Sequence, residues 1–430
     1  MFIILNFIQN SLFSPFQSKL PFRVHPILPV DKLEFIFEKL SKESSIFLNH
    51  EVLRHDFIPD MLPHRENEIL RFGEVLAPSL RNLKCSNLFV YGKTGTGKTA
   101  VTRYVLNRLS KKSLELGRKI NVCYVNCRTV GTEYRVISVM CSVFGVKIPF
   151  TGLATAEVLR RFKNSLEASS SPFIVALDEI DVLIRNYGDR MLYALTRINE
   201  ELKNSKLTII GISNDLYFKE MLDSRVLSSL SEEEIVFKPY TAEQLKDILL
   251  ERIKLAFQPG SFPDSTLNLC AALAAAEHGD ARRALDLVRV SGEIAERKGA
   301  KVVVEEHVYE AKRKIEHDRV FEVLSSLPLH SKILLYVLYT KSFNHEITSG
   351  RLYDMYKQFC CKLGVEALTQ RRVCGLLNEL SMLGVVEAQL VSLGRYGRTK
   401  RVKVNVASQT LEKVFLEDPY IGEFLRKNMS

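Results

Sequence analysis

The chain has 430 residues, more than one ordinary hydrophobic core accommodates, so we expect two or three domains. Its 46% hydrophobic and 26% charged residues are typical of a soluble globular protein, and its net charge of +10 favours a polyanionic partner. The eight cysteines lack paired CxxC spacing and the density of a disulfide scaffold, which argues against a zinc ribbon or a secreted mini-protein and indicates reduced thiols in a cytosolic protein.

Residues 1–45 are expected to form a poorly ordered N-terminal extension. The opening MFIILNFIQN is apolar, but no basic region precedes it, and Asn6, Gln9 and Asn10 interrupt it well short of a membrane span. A short helical pattern follows over residues 33–40. Prolines then interrupt residues 52–65, which predicts an extended connector there.

Residues 46–240 are predicted to form a doubly wound α/β domain. A helical pattern over residues 66–83 is followed by short, apolar, β-branched or aromatic runs that alternate with helical stretches. These four predicted strands cover residues 87–91, 121–126, 173–177 and 207–212. Nearly continuous apolar strands that alternate with helices indicate a parallel sheet covered on both faces, the architecture of many nucleotide-binding domains.

Two further domains are expected after Pro239. Thr241 and Gln244 have the spacing of a capping box, so a helical lid domain is predicted over residues 241–315, with helices over 267–277 and 282–297. Residues 316–430 are predicted to form a winged-helix domain. Its three helices are expected over 332–339, 351–363 and 369–383, and its two strands over 385–391 and 401–406.

The sequence GKTGTGKT after the first predicted strand fits the phosphate-binding pattern G-x-x-x-x-G-K-[ST]. The pattern lies between a strand and the helix predicted over residues 100–110, so backbone N–H groups and the positive end of that helix can face an anion. We expect Lys98 to reach the β- and γ-phosphates of a nucleotide and the Thr99 hydroxyl to bind Mg²⁺. The predicted nucleotide-binding residues of this loop are Gly92, Lys93, Thr94, Gly95, Thr96, Gly97, Lys98 and Thr99.

An acidic pair ends the third predicted strand, where parallel sheets bind nucleotides. Asp178 is expected to hold the Mg²⁺ shell together with Thr99, and Glu179 to polarise the attacking water. Asp181 lies two positions after Glu179, outside this pair, and is expected to cap a helix or to face solvent. The spacing therefore predicts an ATP site with the groups needed for hydrolysis.

Three further polar residues are candidates for contact with the γ-phosphate. Asn214 follows the fourth predicted strand, Arg225 lies in the sequence DSRVLSSL, and Arg282 opens a helix of the lid. Arg225 could act as an arginine finger towards a neighbouring subunit. Taken one at a time, these residues also fit a turn asparagine, a surface arginine and a helix cap.

The order of the motifs GKTGTGKT, LDEID, SND, DSRVLSSL and GDARRAL resembles the AAA+ ATPases. More narrowly, the chain is similar to the archaeal replication initiators of the origin recognition complex and cell division control family, from about Leu48 onward. PDMLPHRENEI, RVLSSL and GRYGRTK carry this narrower resemblance. It implies ATP or ADP and Mg²⁺ as cofactors, a slow ATPase activity, and a set of catalytic roles. That set comprises Lys98 in Walker A, Asp178 and Glu179 in Walker B, Asn214 as sensor 1, Arg225 as arginine finger and Arg282 as sensor 2.

The same resemblance implies two further contact regions. The segment before the helix at residue 66 helps to hold adenine, which places Pro63, His64 and Arg65 near the base. The family also carries a helical insertion after the second strand, here residues 132–143, in which Tyr134 and Arg135 are candidates for DNA contact.

Two basic segments of the predicted winged helix are candidates for DNA binding. Thr369 is expected to cap the third helix, which leaves Gln370, Arg371 and Arg372 on an exposed first turn, where a recognition helix approaches base edges. The hairpin over residues 394–403 has five basic residues and no acidic one, which suits phosphate contact, although a solvated charged hairpin is the alternative. The predicted contacts in this hairpin are Arg395, Tyr396, Arg398, Lys400 and Arg401.

Together these features favour an ATP-dependent replication initiator that binds double-stranded origin DNA, with a paralogous initiator subunit and the replicative helicase as further partners, and no membrane. The expected location is the cytoplasm, associated with the nucleoid. An AAA+ winged-helix motor of the branch-migration type and a nucleotide-gated DNA-binding regulator remain as alternatives. A clamp loader is less favoured, because its C-terminal domain lacks a basic wing.

Overall fold

The structure is a computed structural model that describes residues 46–230, 232–342, 346–392 and 398–429. The predicted N-terminal extension, with its helix at residues 33–40, therefore lies outside the described residues. The same holds for Arg395 and Tyr396 of the predicted basic hairpin.

A five-stranded parallel sheet forms the centre of the first domain, with the strand order β2-β3-β4-β1-β5. Its strands are β1 (Asn87–Gly92), β2 (Asn121–Asn126), β3 (Pro172–Asp178), β4 (Lys206–Ser213) and β5 (Glu232–Phe237). The first four confirm the predicted strands to within one residue at each end. β5 was not predicted, because its sequence EEEIVF begins with three glutamates that hide the strand pattern.

Alternation along the strands divides the apolar side chains between the two faces of the sheet. On β3, Phe173, Val175 and Leu177 pack into one core, while Ile174 and Ala176 pack into the other. Because successive strand residues point to opposite faces, a strand with an unbroken apolar run needs helices on both sides. The fold class predicted for this domain, a doubly wound parallel α/β sheet, is thereby confirmed.

Helices of this domain are α1 (Glu66–Leu76), α2 (Lys98–Glu115), α3 (Cys127–Val130), α4 (Glu133–Ser142), α5 (Thr155–Ser169), α6 (Ile180–Tyr187), α7 (Arg190–Glu201) and α8 (Ser224–Leu230). Short 3-10 helices cover His50–Leu53, Ala77–Arg81 and Phe218–Met221. The strand register brings the carboxyl ends of β3, β4 and β1 to one edge of the sheet. Asp178 pairs with Ile212, and Ser213 pairs with Tyr91, directly before the phosphate loop.

The helical lid consists of α9 (Ala242–Ala256), α10 (Asp264–Ala276), α11 (Ala281–Arg297) and the first part of α12 (Glu305–Ser326). The predicted capping box is confirmed, since Thr241 Oγ1 accepts the backbone N–H of Gln244 and Gln244 Oε1 accepts that of Thr241. Phe47 and Leu53 belong to the lid core, and the Leu48 N–H donates to the Ala256 carbonyl at 2.8 Å. Residues 46–53 thus pack with the lid, whereas the expected boundaries placed them in the α/β domain.

The long helix α12 passes from the lid into the C-terminal domain without a break. Val308 and Ala311 pack into the lid core, whereas Leu324 is buried in the core of the C-terminal domain. The boundary expected at residues 315 and 316 therefore lies inside a continuous helix.

The C-terminal domain has the winged-helix arrangement that was predicted, with additional elements. It contains α13 (Leu329–Ser342), β6 (Ile347–Thr348), α14 (Ser349–Leu363), α15 (Gln370–Met382), β7 (Val386–Ser392), β8 (Arg398–Val404), α16 (Ser408–Glu417) and α17 (Pro419–Met429). Strands β6, β8 and β7 form an antiparallel sheet in that order. The predicted second strand started three residues too late, because β8 begins within the basic run.

In the part of the chain that the structure describes, no single helix is long and apolar enough to span a membrane. Glu305–Ser326 and Leu329–Thr340 reach the length and hydropathy of a span only when they are taken together, and they meet at a bend of 120°.

The close packing of β4 against β1 predicts a steric effect at Gly211. A Cβ atom at this position would lie 2.4 Å from the fully buried ring of Phe89 on the neighbouring strand. We expect Gly211→Ala to lower the free energy of unfolding by about 1–3 kcal/mol through overpacking. Gly73→Ala is the control, because nothing lies within 4 Å of its Cβ position in α1, and helix propensity favours alanine by up to about 1 kcal/mol. Urea unfolding of both variants measures the difference; equal stability would contradict the packing described.

Candidate functional site

The phosphate loop connects β1 to α2 and is approached closely by the lid. Gly95 and Gly97 have φ angles of 70° and 92°, which side chains rarely adopt. A Cβ atom on Gly95 would lie 1.7 Å from Asp280 Oδ1, and one on Gly97 would lie 2.7 Å from the Tyr240 hydroxyl. Glycine is therefore required twice, for the turn itself and for the approach of the residues that begin the lid.

The Lys98 side chain is almost fully buried and folds back against the phosphate loop. Its ammonium group donates to the carbonyl oxygens of Gly92 and Lys93, both at 2.7 Å. Burial is the main cause that lowers the pKa of Lys98 to about 8; the nearby Arg282 lowers it further, while Asp178 opposes the shift. A charged group held this way is stabilised by any anion that enters the loop.

Asp178 accepts three hydrogen bonds at the end of β3. Its Oδ2 atom lies 2.7 Å from Thr99 Oγ1 and 2.6 Å from the Tyr124 hydroxyl, and its Oδ1 atom accepts the Glu179 N–H. A hydroxyl and a carboxylate are hard oxygen ligands of the kind that Mg²⁺ prefers. The residues that the structure describes contain no group of three or more His, Cys, Asp or Glu side chains arranged for a metal. The Thr99 hydroxyl and the Asp178 carboxylate are thus chemically suited to Mg²⁺.

Glu179 caps α6 in a left-handed conformation, with φ of 53°. Its carboxylate lies 3.4 Å from the Asn126 amide and 3.5 Å from the Arg128 guanidinium, both on the neighbouring β2–α3 segment. Asp181 is 6% exposed and accepts the Ser213 hydroxyl at 3.2 Å. The expectation that Asp181 caps a helix or faces solvent is wrong, because Glu179 is the N-cap of α6 and the first turn of this helix, with Asp181, lies against the end of β4.

Asn214 and Arg225 lie outside the cavity that surrounds the phosphate loop. Asn214 is exposed and follows β4, which lies between β3 and β1, so it is at the edge of the sheet that carries Asp178. Arg225 is the second residue of α8. Its side chain is 78% exposed, and its guanidinium bonds the Asp223 carboxylate at 3.0 and 3.1 Å. These bonds lower the pKa of Asp223 to about 2.

Arg282 lines this cavity at the first turn of α11. The N-cap residue Asp280 accepts the Arg282 N–H at 2.8 Å, and the Ala281 N–H donates to the Gly95 carbonyl at 3.1 Å. The start of the lid helix is therefore hydrogen-bonded to the phosphate loop itself. In this way Arg282 is placed beside Lys98.

Of the three residues expected near the base, Pro63 lines the cavity, whereas His64 and Arg65 have partners around it. His64 Nε2 lies 2.8 Å from Asp247 Oδ2 on α9. Arg65 is buried, and its guanidinium lies 4.0 Å from the Tyr240 ring centroid. Its donors bond the Thr96 carbonyl, the Tyr240 hydroxyl, the Lys238 carbonyl and the Glu68 carboxylate. Arg65 thus ties the phosphate loop to the segment that leads into the lid.

Part of the cavity lining is apolar, which suits a nucleobase. Its apolar lining residues are Phe57, Ile58, Pro59, Met61, Leu62, Pro63, Ile248 and Leu285. Those on the lid helices were not predicted, because no local pattern distinguishes them from ordinary core residues. Tyr124, Tyr240 and Asp280 were not predicted as site residues either. Only Asp280 carried a sequence signal, since an aspartate directly before ARRAL is typical of a helix N-cap.

The residues of the winged helix that were predicted to contact DNA differ in their exposure and in their side-chain partners. Gln370, Arg371 and Arg372 are exposed on the first turn of α15, which Thr369 caps as predicted. On β8, Lys400 bonds the Asn378 side chain of α15, and Arg401 lies 3.3 Å from Glu346. Arg398 begins β8 opposite Ser392 in the ladder.

The predicted insertion is present as α4, and its two candidate residues have different environments. Tyr134 is half-buried against the core, and its hydroxyl donates to the Pro149 carbonyl. Arg135 is exposed, and its guanidinium lies 5.8 Å from the ring centroid of Phe150, which is 84% exposed. Phe150 was not singled out from the sequence.

Comparison with known proteins covers all three domains. A family model of the AAA domain matches residues 81–218, one of the Cdc6 AAA+ ATPase-type lid domain matches residues 246–313, and one of the CDC6 C-terminal winged helix domain matches residues 322–414. The chain is 50% identical over 406 residues to the ORC1-type DNA replication protein of Thermococcus kodakarensis. This match covers 93% of this chain and 98% of that protein. The chain is 49% identical to the ORC1-type DNA replication protein 1 of Archaeoglobus fulgidus, with 91% and 96% covered.

Among solved structures, the chain is similar to that of the Aeropyrum pernix ORC1 protein in complex with DNA. The TM-score is 0.80 at 48% sequence identity, and the match covers 89% of this chain and 100% of that chain.

The lowered pKa of Lys98 predicts that nucleotide binding depends on pH. A bound phosphate raises this pKa, so binding takes up a proton wherever free Lys98 is neutral, above about pH 8. We expect the affinity for ATP to fall as the pH rises, approaching about tenfold per pH unit above this pKa. Calorimetry in buffers of different ionisation enthalpy measures the proton uptake. Lys98→Arg is the control, because a guanidinium stays charged; an equal pH dependence in both proteins would contradict this role of Lys98.

Proposed function

This chain belongs to the ORC1-type DNA replication proteins, and on that basis we propose that bound ATP or ADP switches it between states that differ in binding double-stranded origin DNA. It is an AAA+ replication initiator with a C-terminal winged helix. The observation that carries the proposal is the hydrogen-bonded contact between the phosphate loop and the start of the lid helix α11. A ligand in the loop therefore acts directly on the lid.

Each residue of the phosphate site has a proposed role towards the nucleotide. Lys98 exchanges its bonds to loop carbonyls for the β- and γ-phosphates, and Thr99 and Asp178 hold Mg²⁺. Mg²⁺ supplies neutralisation of phosphate charge when it is bound. Glu179 orients and polarises the attacking water once its carboxylate leaves Asn126 and Arg128, so hydrolysis is slow while those contacts persist.

The remaining motif residues are proposed to sense the γ-phosphate. Arg282 lines the cavity next to Lys98, so it can contact the phosphates of a nucleotide bound to its own chain. Asn214 lies at the same sheet edge as Asp178. Arg225 does not line its own cavity, so its role as an arginine finger needs a neighbouring subunit, for which a paralogous initiator is the proposed partner.

The proposed DNA contacts lie on two domains. The exposed residues Gln370, Arg371 and Arg372 are proposed to contact base edges in the major groove. The strand residues Lys400 and Arg401 are proposed to contact phosphates. Arg395, Tyr396 and Arg398 extend the proposal to the wing. On the α/β domain, Arg135 is a better candidate than the half-buried Tyr134. Recruitment of the replicative helicase by the DNA-bound form completes the proposal. The motor alternative is not supported by the 50% identity to ORC1-type replication proteins.

Two substitutions separate nucleotide binding from hydrolysis. We expect Lys98→Ala to abolish ATP binding, because the phosphates lose their buried cation. Glu179→Gln should bind ATP with wild-type affinity but retain it, with hydrolysis slowed at least about 100-fold. Filter binding and single-turnover hydrolysis measure both quantities. Lys112→Ala, an exposed lysine on the same helix, is the control. Wild-type ATP affinity in Lys98→Ala would overturn the nucleotide site.

The DNA interface is tested by the salt dependence of binding. Each of Arg371→Ala and Arg401→Ala is expected to weaken binding to duplex DNA and to reduce the slope of log K against log salt by about 1, because each removes one phosphate or base-edge cation. Arg197→Ala, an exposed arginine of the α/β domain paired with Glu200, should leave the slope unchanged. Fluorescence anisotropy at several salt concentrations measures it, and an unaltered slope in both winged-helix variants would remove them from the interface.

A further inference from the structure

The Tyr124 hydroxyl on β2 points at the carboxylate that is proposed to hold Mg²⁺. It donates to Asp178 Oδ2 at 2.6 Å across the parallel pair of β2 and β3. We propose that Tyr124 is a positioning residue that fixes the Asp178 carboxylate for the metal ion. This inference rests on the proposed function, in which Thr99 and Asp178 are the protein's contribution to Mg²⁺ binding.

The hydrogen-bond geometry of Asp178 leaves room for this role. A carboxylate oxygen has two lone-pair positions. On Oδ2, Tyr124 occupies one and the Thr99 hydroxyl the other, while the Glu179 N–H bonds Oδ1. If a metal ion held by Thr99 and Asp178 took the place of the Thr99 hydrogen bond, the bonds from Tyr124 and Glu179 would remain. They hold the carboxylate in one orientation, with one oxygen turned towards Thr99.

A residue that lines the nucleotide cavity contacts the Tyr124 ring. The Arg103 guanidinium lies 4.0 Å from the Tyr124 ring centroid, and Arg103 lines the cavity one helical turn after Thr99. The ring is thus placed between a cation of α2 and the Asp178 carboxylate. Hydrogen bonds of this kind to a metal-binding carboxylate contribute about 10- to 100-fold in metal affinity in other proteins.

The test is the Mg²⁺ dependence of ADP binding by Tyr124→Phe, which keeps the ring beneath Arg103 and loses only the hydroxyl. A fluorescent ADP analogue is titrated first in EDTA and then with rising Mg²⁺. We expect unchanged affinity in EDTA and a Mg²⁺ midpoint about tenfold higher than in wild type. Mn²⁺ bound to the ADP complex, counted by electron paramagnetic resonance, should weaken by the same factor. Tyr104→Phe is the control, because Arg108 lies 5.3 Å from its ring centroid and it has no described bond to Asp178.

The possible results separate this inference from the proposed function. A Mg²⁺ midpoint in Tyr124→Phe that equals or falls below the wild-type value overturns the positioning role, because the hydroxyl then only packs or competes with the metal. Wild-type protein whose ADP affinity does not respond to Mg²⁺ overturns instead the metal role of Thr99 and Asp178. ADP binding in EDTA counts the folded sites, so a partly unfolded variant is still measured on its folded fraction.

Discussion

The contact between the start of α11 and the phosphate loop is the constraint on which the rest of the structure depends. The Ala281 N–H bonds the Gly95 carbonyl, and Asp280 lies where any side chain on Gly95 would have to be. Because the loop has no side chain at that position, backbone of the lid meets backbone of the α/β domain. A conformational change in the loop therefore changes the position of the lid helix α11 directly, because no flexible side chain lies between the two backbones.

Buried charge reinforces this arrangement on the other side of the loop. Arg65 bonds the Thr96 carbonyl, the Lys238 carbonyl and the Tyr240 hydroxyl, and it stacks on the Tyr240 ring. A buried guanidinium is tolerated only when its donors are satisfied, and displacement of the loop would take the Thr96 carbonyl away from Arg65 Nε while the Glu68 carboxylate keeps the charge paired. On the far side of the lid, α12 continues into the winged helix. The proposed switch thus has a continuous structural path from phosphate to DNA-binding domain.

Much of this fold and part of the site could be predicted from the sequence, because local patterns report strands, caps and loops. The capping box at Thr241 and the strands β1 to β4 are examples of this local information. Features that depend on long-range pairing could not be predicted. β5 is recognisable only beside β1, and the 46–53 segment joins the lid through contacts some 200 residues away in sequence, such as that of Leu48 with Ala256. The roles of Arg65 and Tyr124 likewise follow from neighbours that only the folded chain brings together.

Hydrogen–deuterium exchange with and without ADP tests the central claim most directly. If the loop and the lid helix act as one unit, ADP must slow exchange at the backbone amides of residues 95–99 and equally at Ala281 and Arg282. The same slowing should extend along the first turn of α11. Protection confined to residues 95–99, with exchange at the start of α11 unchanged, would contradict the coupling of nucleotide to lid.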